Sequence, residues 1–361
     1  MTSTSNVAPG GLSKVGLCTA FLAIALAAAW MVTARSWGKS TSRKWHQGPE
    51  WERLFRVYDE MANDRYGNCE SKLVPSGILV QGHDDKPGPR YTTQVHICGE
   101  SSTESPVMML HGASTNGLMY GDWLMPTLSK NRKSVAVDFP CDVGRSFPLE
   151  GDTNYCPQNA SDVADWAIDL IEQLDMRKER VSLVGYSYGS FVSSQVALKF
   201  PDAVDKLVLF APAAVFSPLK GEFLFRAITF GILYSLIPAS WPKLLDGVRD
   251  WFFGWMMASG ETLDWDSKEK DLRIACDEAG PAVLPTAPIV LNETELRAMN
   301  EANPTLLVIG EEEVVIDAQT SIEAAVAAGI QVKAYPKSGH MLVAEQPRED
   351  AISVVSSFLN Q

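Results

Sequence analysis

The chain is short of the residues that build metal sites and disulfide scaffolds. Its 361 residues hold six cysteines and five histidines. No C-x-x-C pair and no H-E-x-x-H run occurs, so no metal and no organic cofactor is expected. Six cysteines are too few for a disulfide framework in a chain of this length. Cys69, Cys98, Cys141 and Cys156 could pair in an oxidising compartment, but their spacing is read as that of buried or free thiols. Basic residues are also outnumbered: 31 Lys and Arg against 44 Asp and Glu leave a formal net charge of −13. Such a surface repels a phosphate backbone, and no nucleic-acid partner is expected. There is no internal repeat, and no low-complexity tract beyond an alanine-rich stretch near the N-terminus. At 46% hydrophobic and 21% charged residues, the composition excludes a disordered tail, a collagen and a coiled coil. It leaves enough chain to bury a large core.

One long uncharged run is present. Val15–Ala34 reads VGLCTAFLAIALAAAWMVTA, about the length that crosses a bilayer core as a helix. Lys14 precedes it, while Arg35, Lys39, Arg43 and Lys44 follow; by the positive-inside rule the remainder of the chain would be cytoplasmic. The run is read as a single-pass membrane anchor. The alternative is a signal peptide cleaved after a small residue, which would release a secreted protein. The expected organisation is a tail (1–14), the apolar segment (15–34), a polar linker (35–50) and one domain (51–361).

Within that domain, Trp51–Tyr66 has helical spacing and Gly82–Arg90 is a turn cluster. Short β-rich runs then alternate with helical ones: Thr93–Cys98, Val107–Leu110, Ser134–Asp138, Val181–Val184, Lys206–Phe210, Thr305–Ile309 and Gln331–Tyr335. One clear helix follows Ser161 as its expected cap, with Val163, Trp166, Ala167, Leu170, Ile171 and Leu174 on one stripe. This alternation predicts an α/β fold, a mostly parallel sheet covered by helices on both faces. The pattern stops over about 213–303, too long for a plain connection, and the aromatic-rich run 221–260 there reads as a helical cap insertion.

Gly185-Tyr186-Ser187-Tyr188-Gly189 follows the strand VSLV and precedes a helical run, the context of a nucleophile elbow. Small residues, Gly185 and Gly189, stand two positions either side of Ser187 because the turn is tight. His111-Gly112-Ala113 directly follows the strand VMML, so the Ala113 N–H could serve an oxyanion with the Tyr188 N–H; His111 itself reads as a structural histidine. His340, after the last strand, is the single histidine downstream of Ser187 and the expected general base. The acid should follow the strand TLLVI, among Glu311, Glu312, Glu313 and Asp317.

These pieces together resemble the α/β-hydrolase superfamily over roughly Thr93–Leu359, and within it serine carboxylesterase-like members. The matching motifs are HGA, VDFPCDVGRS, LVGYSYG, LVLFAPAA, PTLLVIGEEEVVID and GHMLVAEQP. The resemblance implies a Ser187–His340–acid triad and an ester substrate, with no cofactor. It places the acid on Glu313, where many members carry aspartate, with Asp317 as the alternative. Relatives often have glycine where Pro140-Cys141 stands. An acyltransferase or lyase on the same triad remains open, as does a binding protein on a hydrolase scaffold. The aromatic insertion favours apolar acyl groups.

The anchor is testable directly. The full chain should stay in the membrane pellet after high-salt and carbonate washes, whereas a chain beginning at Trp45 should appear in the supernatant. Soluble protein with a mature N-terminus near Trp30 or Arg35 would establish a cleaved signal instead.

Overall fold

The computed structural model describes residues 48–76, 91–100, 102–148, 157, 159–237, 241–262, 266–279, 286–345 and 347–361. The expected anchor Val15–Ala34, the linker up to residue 47, the turn cluster after Gly82 and Cys156 lie outside the described residues. Among the described residues, no helix is long and apolar enough to cross a membrane.

Nine strands form one sheet: β1 (Glu70–Ser76), β2 (Tyr91–Cys98), β3 (Val107–Leu110), β4 (Ser134–Val137), β5 (Phe147–Pro148), β6 (Val181–Tyr186), β7 (Val204–Phe210), β8 (Thr305–Gly310) and β9 (Gln331–Tyr335). Their order is β1-β2-β4-β3-β6-β7-β8-β9, with β5 paired to β2. From β4 to β9 every pairing is parallel, while β2 runs antiparallel to β1, β4 and β5. Strands β3, β4, β6 and β8 are buried at every position. Helices cover both faces, so the sequence of each inner strand is a continuous run without polar alternation. Strand β1 has no counterpart in the sequence reading. Its segment ESKLVPS is mostly exposed and carries Pro75, which an edge strand tolerates because one side needs no ladder bond.

The main helices are α1 (Pro49–Tyr66), α2 (Ala160–Gln173), α3 (Tyr188–Lys199), α4 (Gly221–Leu236), α5 (Pro242–Trp255), α6 (Ser267–Ala279), α7 (Glu293–Ala302), α8 (Ala318–Ala327) and α9 (Arg348–Leu359). Helix α2 starts earlier than expected: Asn159, not Ser161, caps it by accepting from the Asp162 N–H at 3.0 Å. The sheet splits the core by strand parity. Met108, Leu110, Leu207 and Leu209 face α2, α3, α7 and α8, while Val107, Met109, Val208 and Phe210 face α1 and α9.

Helices α4 to α7 occupy the long segment between β7 and β8. They do not form one unit. Helix α7 packs on α3 and α8 as part of the sheet's helical cover, whereas α4 and α5 pack on each other, with Phe230 stacked on Phe252 at 4.7 Å between ring centroids. Helix α6 crosses to the start of the domain. Trp51 and Leu54 of α1 share a small core with Ala275, Cys276 and Ala279, and Arg53–Glu278 (2.6 Å) and Arg65–Glu269 (2.7 Å) are ion pairs along the same contact.

The cysteine reading is corrected. Cys69 and Cys98 form a disulfide, with their Cα atoms 4.7 Å apart, and Cys141 is also disulfide-bonded; Cys276 is a buried thiol. Spacing in sequence carried no sign of this because strand pairing, not the chain, brings the first pair together: Cys69 precedes β1 directly, and Cys98 ends the antiparallel β2. The bridge closes a loop of sequence separation 29. Replacing both cysteines by serine should therefore cost about 3 kcal/mol in chemical denaturation, through the added freedom of the unfolded chain. The wild type should lose more than this in reductant, which also opens the Cys141 disulfide.

Candidate active site

Between β6 and α3 the backbone turns so sharply that two glycines are obligatory. A Cβ on Gly185 would overlap the Gly189 carbonyl, and one on Gly189 would overlap the Leu110 carbonyl. Ser187 sits at the apex with φ of 51°, a left-handed conformation that a side chain other than glycine's adopts only under constraint. The constraint is visible. The Ser187 N–H donates to the Phe210 carbonyl at 2.8 Å, and the Ser187 carbonyl accepts from Ala213 at 3.1 Å. The serine hydroxyl is thereby held half-buried at the carboxyl end of the parallel strands.

The loops after β8 and β9 meet it there. His340 Nε2 lies 3.1 Å from Ser187 Oγ, and His340 Nδ1 lies 2.7 Å from Glu313 Oε2. Glu313 and His340 are both buried, so the pair is shielded from water. The other oxygen, Glu313 Oε1, accepts from the Val315 N–H at 2.7 Å, which fixes the carboxylate's rotation. Asp317, the alternative acid, is not in this constellation. It is exposed and caps α8 by accepting from the Thr320 N–H at 2.8 Å, which draws its carboxyl below the usual range. Glu312 is directed elsewhere too, accepting from the Ser259 N–H at 2.7 Å.

The HGA loop lies against the elbow: a Cβ on Gly112 would stand 3.4 Å from Ser187 Cβ. Tyr188 is the first residue of α3, and its N–H has no carbonyl one turn earlier to pair with. His111 is a structural residue. Its Nε2 accepts from the Phe139 N–H at 2.8 Å, so Nδ1 carries the proton and donates to the Gly112 carbonyl at 2.7 Å. Burial lowers its pKa to about 4, which keeps it neutral. Beyond Ala113, Ser114 is held from both sides: its N–H donates to Asp142 at 3.1 Å and its carbonyl accepts from Arg273 of α6 at 2.8 Å. Burial raises the Asp142 carboxyl to about 7, against the pull of its N–H donors.

Two residues of the site were missed in the sequence. Glu345 is buried and accepts from the Gly339 N–H at 2.9 Å and from the Ala258 N–H at 2.9 Å. It thus joins the turn before His340 to the end of the α4–α5 pair, where the His340 N–H also donates to the Met256 carbonyl at 2.8 Å. Burial pushes its carboxyl up. Lys220 donates to the Glu313 carbonyl at 2.7 Å and pins the acid-bearing loop. Only the E in GHMLVAEQP hinted at the first, and nothing marked the second.

A strand–serine–helix elbow, a histidine from the loop after the last strand and a carboxylate from the loop after the preceding one define the α/β-hydrolase class. A sequence profile described as alpha/beta hydrolase family matches residues 107–352, and the chain belongs to that family. It is 26% identical over 265 residues to the uncharacterized carboxylesterase nap of Bacillus subtilis, covering 70% of this chain and 79% of that protein. It is also 26% identical to the carboxylesterase YbfK of the same organism, over 74% of this chain and 84% of that one. The crystal structure of the B. subtilis naproxen esterase superposes with a TM-score of 0.69 at 21% identity, covering 86% of this chain and 99% of that one.

Proposed function

We propose that the chain is a serine hydrolase that cleaves carboxylic esters through an acyl-enzyme. The observation that carries this is the continuous hydrogen-bond chain Ser187 Oγ–His340–Glu313, with links of 3.1 and 2.7 Å. The two carboxylesterase relatives, matched over most of their length, support the same chemistry. Ser187 Oγ attacks the ester carbonyl while His340 Nε2 takes its proton. Glu313 holds the Nδ1 proton, keeps the ring in register and stabilises the imidazolium. The Ala113 and Tyr188 N–H groups receive the oxyanion. His340 returns the proton to the departing alcohol; water, activated by the same nitrogen, then frees the acid and restores Ser187.

A fluorophosphonate probe should label the wild type and not Ser187→Ala, whose ester turnover should fall by roughly 10³ or more with folding retained. Glu313→Gln should lower kcat by about 10²–10⁴, and Asp317→Asn should leave it near wild type. The opposite ranking would move the acid to Asp317.

The preferred acyl groups are apolar. Met256 and Met257 are buried beside the His340 turn, and an apolar wall rewards each buried methylene by ~0.8 kcal/mol, about fourfold in kcat/KM. A p-nitrophenyl ester series from about two to twelve carbons should therefore rise with chain length until the pocket fills. An optimum at acetate would refute this preference.

Attachment to a membrane through Val15–Ala34 belongs to the same proposal. The Cys69–Cys98 disulfide favours the oxidising, non-cytoplasmic side for the domain, against the orientation suggested by Arg35, Lys39, Arg43 and Lys44. A protein released after signal cleavage would satisfy the disulfide equally.

A further inference from the structure

Among the described residues, the exposed large apolar side chains are concentrated in one place. Leu224, Phe225, Ile228, Leu233 and Leu236 lie on α4, and Trp241, Leu244 and Trp251 lie on or at the start of α5. Phe225, Leu236 and Trp241 are 65%, 62% and 59% exposed, far beyond what an ordinary surface leaves uncovered in one cluster. On α4, Phe225, Ile228 and Leu236 fall on one stripe at helical spacing; on α5, Leu244 and Trp251 are seven residues apart and do the same. The helices present this surface as a firm pair. Phe230 packs on Phe252, and the Arg226 guanidinium of α4 lies 4.4 Å from the Trp255 ring centroid of α5.

We propose that the α4–α5 pair lies on a lipid bilayer, with its exposed apolar side chains set into the interface. Three observations select lipid over a protein partner. The chain leaves the described residues at Gly48, and the helix that begins there, α1, is packed on α6 through Trp51 and the Arg53–Glu278 pair. The tether therefore joins the domain beside α6, whose Arg273 guanidinium lies 4.9 Å from the Phe253 ring centroid of α5. From Ala34 to Gly48 the connecting residues are 35–47, an extended reach of about 45 Å, so an anchored Val15–Ala34 confines the domain to the membrane surface. Charge points the same way: the pair carries Glu222, Arg226, Lys243, Asp246, Arg249 and Asp250, a net of zero, with no basic patch for an acidic protein or anionic headgroup. Tryptophan at a helix start is suited to the level of the headgroups. Because α5 ends at Met256, whose carbonyl accepts from the His340 N–H, docking would set the catalytic turn close to esters dissolved in the bilayer. That last consequence rests on the proposed esterase reading, whereas the docking rests on the proposed attachment through Val15–Ala34.

The test uses the full chain reconstituted in phosphatidylcholine vesicles. Ile228→Cys and Val326→Cys, the latter exposed on α8, are each made in a Cys18→Ser parent and labelled with the dye NBD, with the parent labelled alike as the blank. The dye at 228 should shift to the blue and be quenched by doxyl-labelled lipid at least twofold more than at 326. The shift should persist in 1 M salt, where the screening length is about 3 Å, since no charge attraction is involved. A dye at 228 that stays as polar as at 326 overturns the proposal. So does a shift that grows with the protein-to-lipid ratio and resists lipid quenching, which would mean a second copy covers the face. In a second arm, Phe225→Ser/Leu236→Ser/Leu244→Ser should lower turnover of a long-chain ester dispersed in the vesicles at least fivefold and leave a water-soluble butyrate ester unchanged. Equal rates on the vesicle ester overturn the link to catalysis. If the wild type hydrolyses neither ester, the esterase reading fails while the dye still decides docking.

Discussion

The site depends on crowding at one backbone turn. Gly185 and Gly189 stand where any Cβ would overlap backbone carbonyls, and Ser187 between them is held at a positive φ that it would not adopt alone. The contact of Gly189 with the Leu110 carbonyl brings α3 down onto the end of β3. The same closeness puts the HGA loop beside the serine. Strain at the turn is sustained because Ser187 is bonded on both sides, to Phe210 and to Ala213, at the end of β7. A central parallel sheet with buried strands on either side supplies that rigidity.

Around this turn the protein spends many of its buried polar contacts on holding loops. Glu313 has one oxygen on His340 and the other on the Val315 N–H. Glu345 ties the His340 turn to Ala258, and Asp142 with Arg273 brackets Ser114. Each of these joins a residue of the sheet's carboxyl edge to the β7–β8 segment or to a neighbouring loop. The segment above the sheet is thus mechanically continuous with the catalytic turn, and what α4 and α5 rest upon bears on the position of His340.

Legibility in the sequence followed the range of the forces involved. The inner strands were readable because burial on both faces demands continuous apolar runs, and the elbow because sterics demand glycine two residues either side of Ser187. A carboxylate within reach of His340 was expected after TLLVI, although Glu311, Glu312, Glu313 and Asp317 could not be separated by chemistry alone. Strand β1 escaped because an exposed edge strand needs no apolar pattern. The cap of α2 was displaced by two residues, since Asn159 and Ser161 are both competent caps and only the backbone's entry decides between them.

The sequence by itself determined the α/β class and the order of the motifs, and it singled out Ser187, His340 and the carboxylate-bearing loop as the residues proposed to act. These are local demands of burial period and turn sterics, written within a few residues of where they act. Tertiary structure decided the rest. It chose Glu313 over Asp317 by directing one carboxylate to the imidazole and the other to a helix N-terminus. It also joined Cys69 to Cys98, brought Glu345 under the catalytic turn and left the α4–α5 surface bare. Each of these outcomes depends on groups far apart in the chain coming within a few ångströms, and no local pattern of residues encodes such a distance.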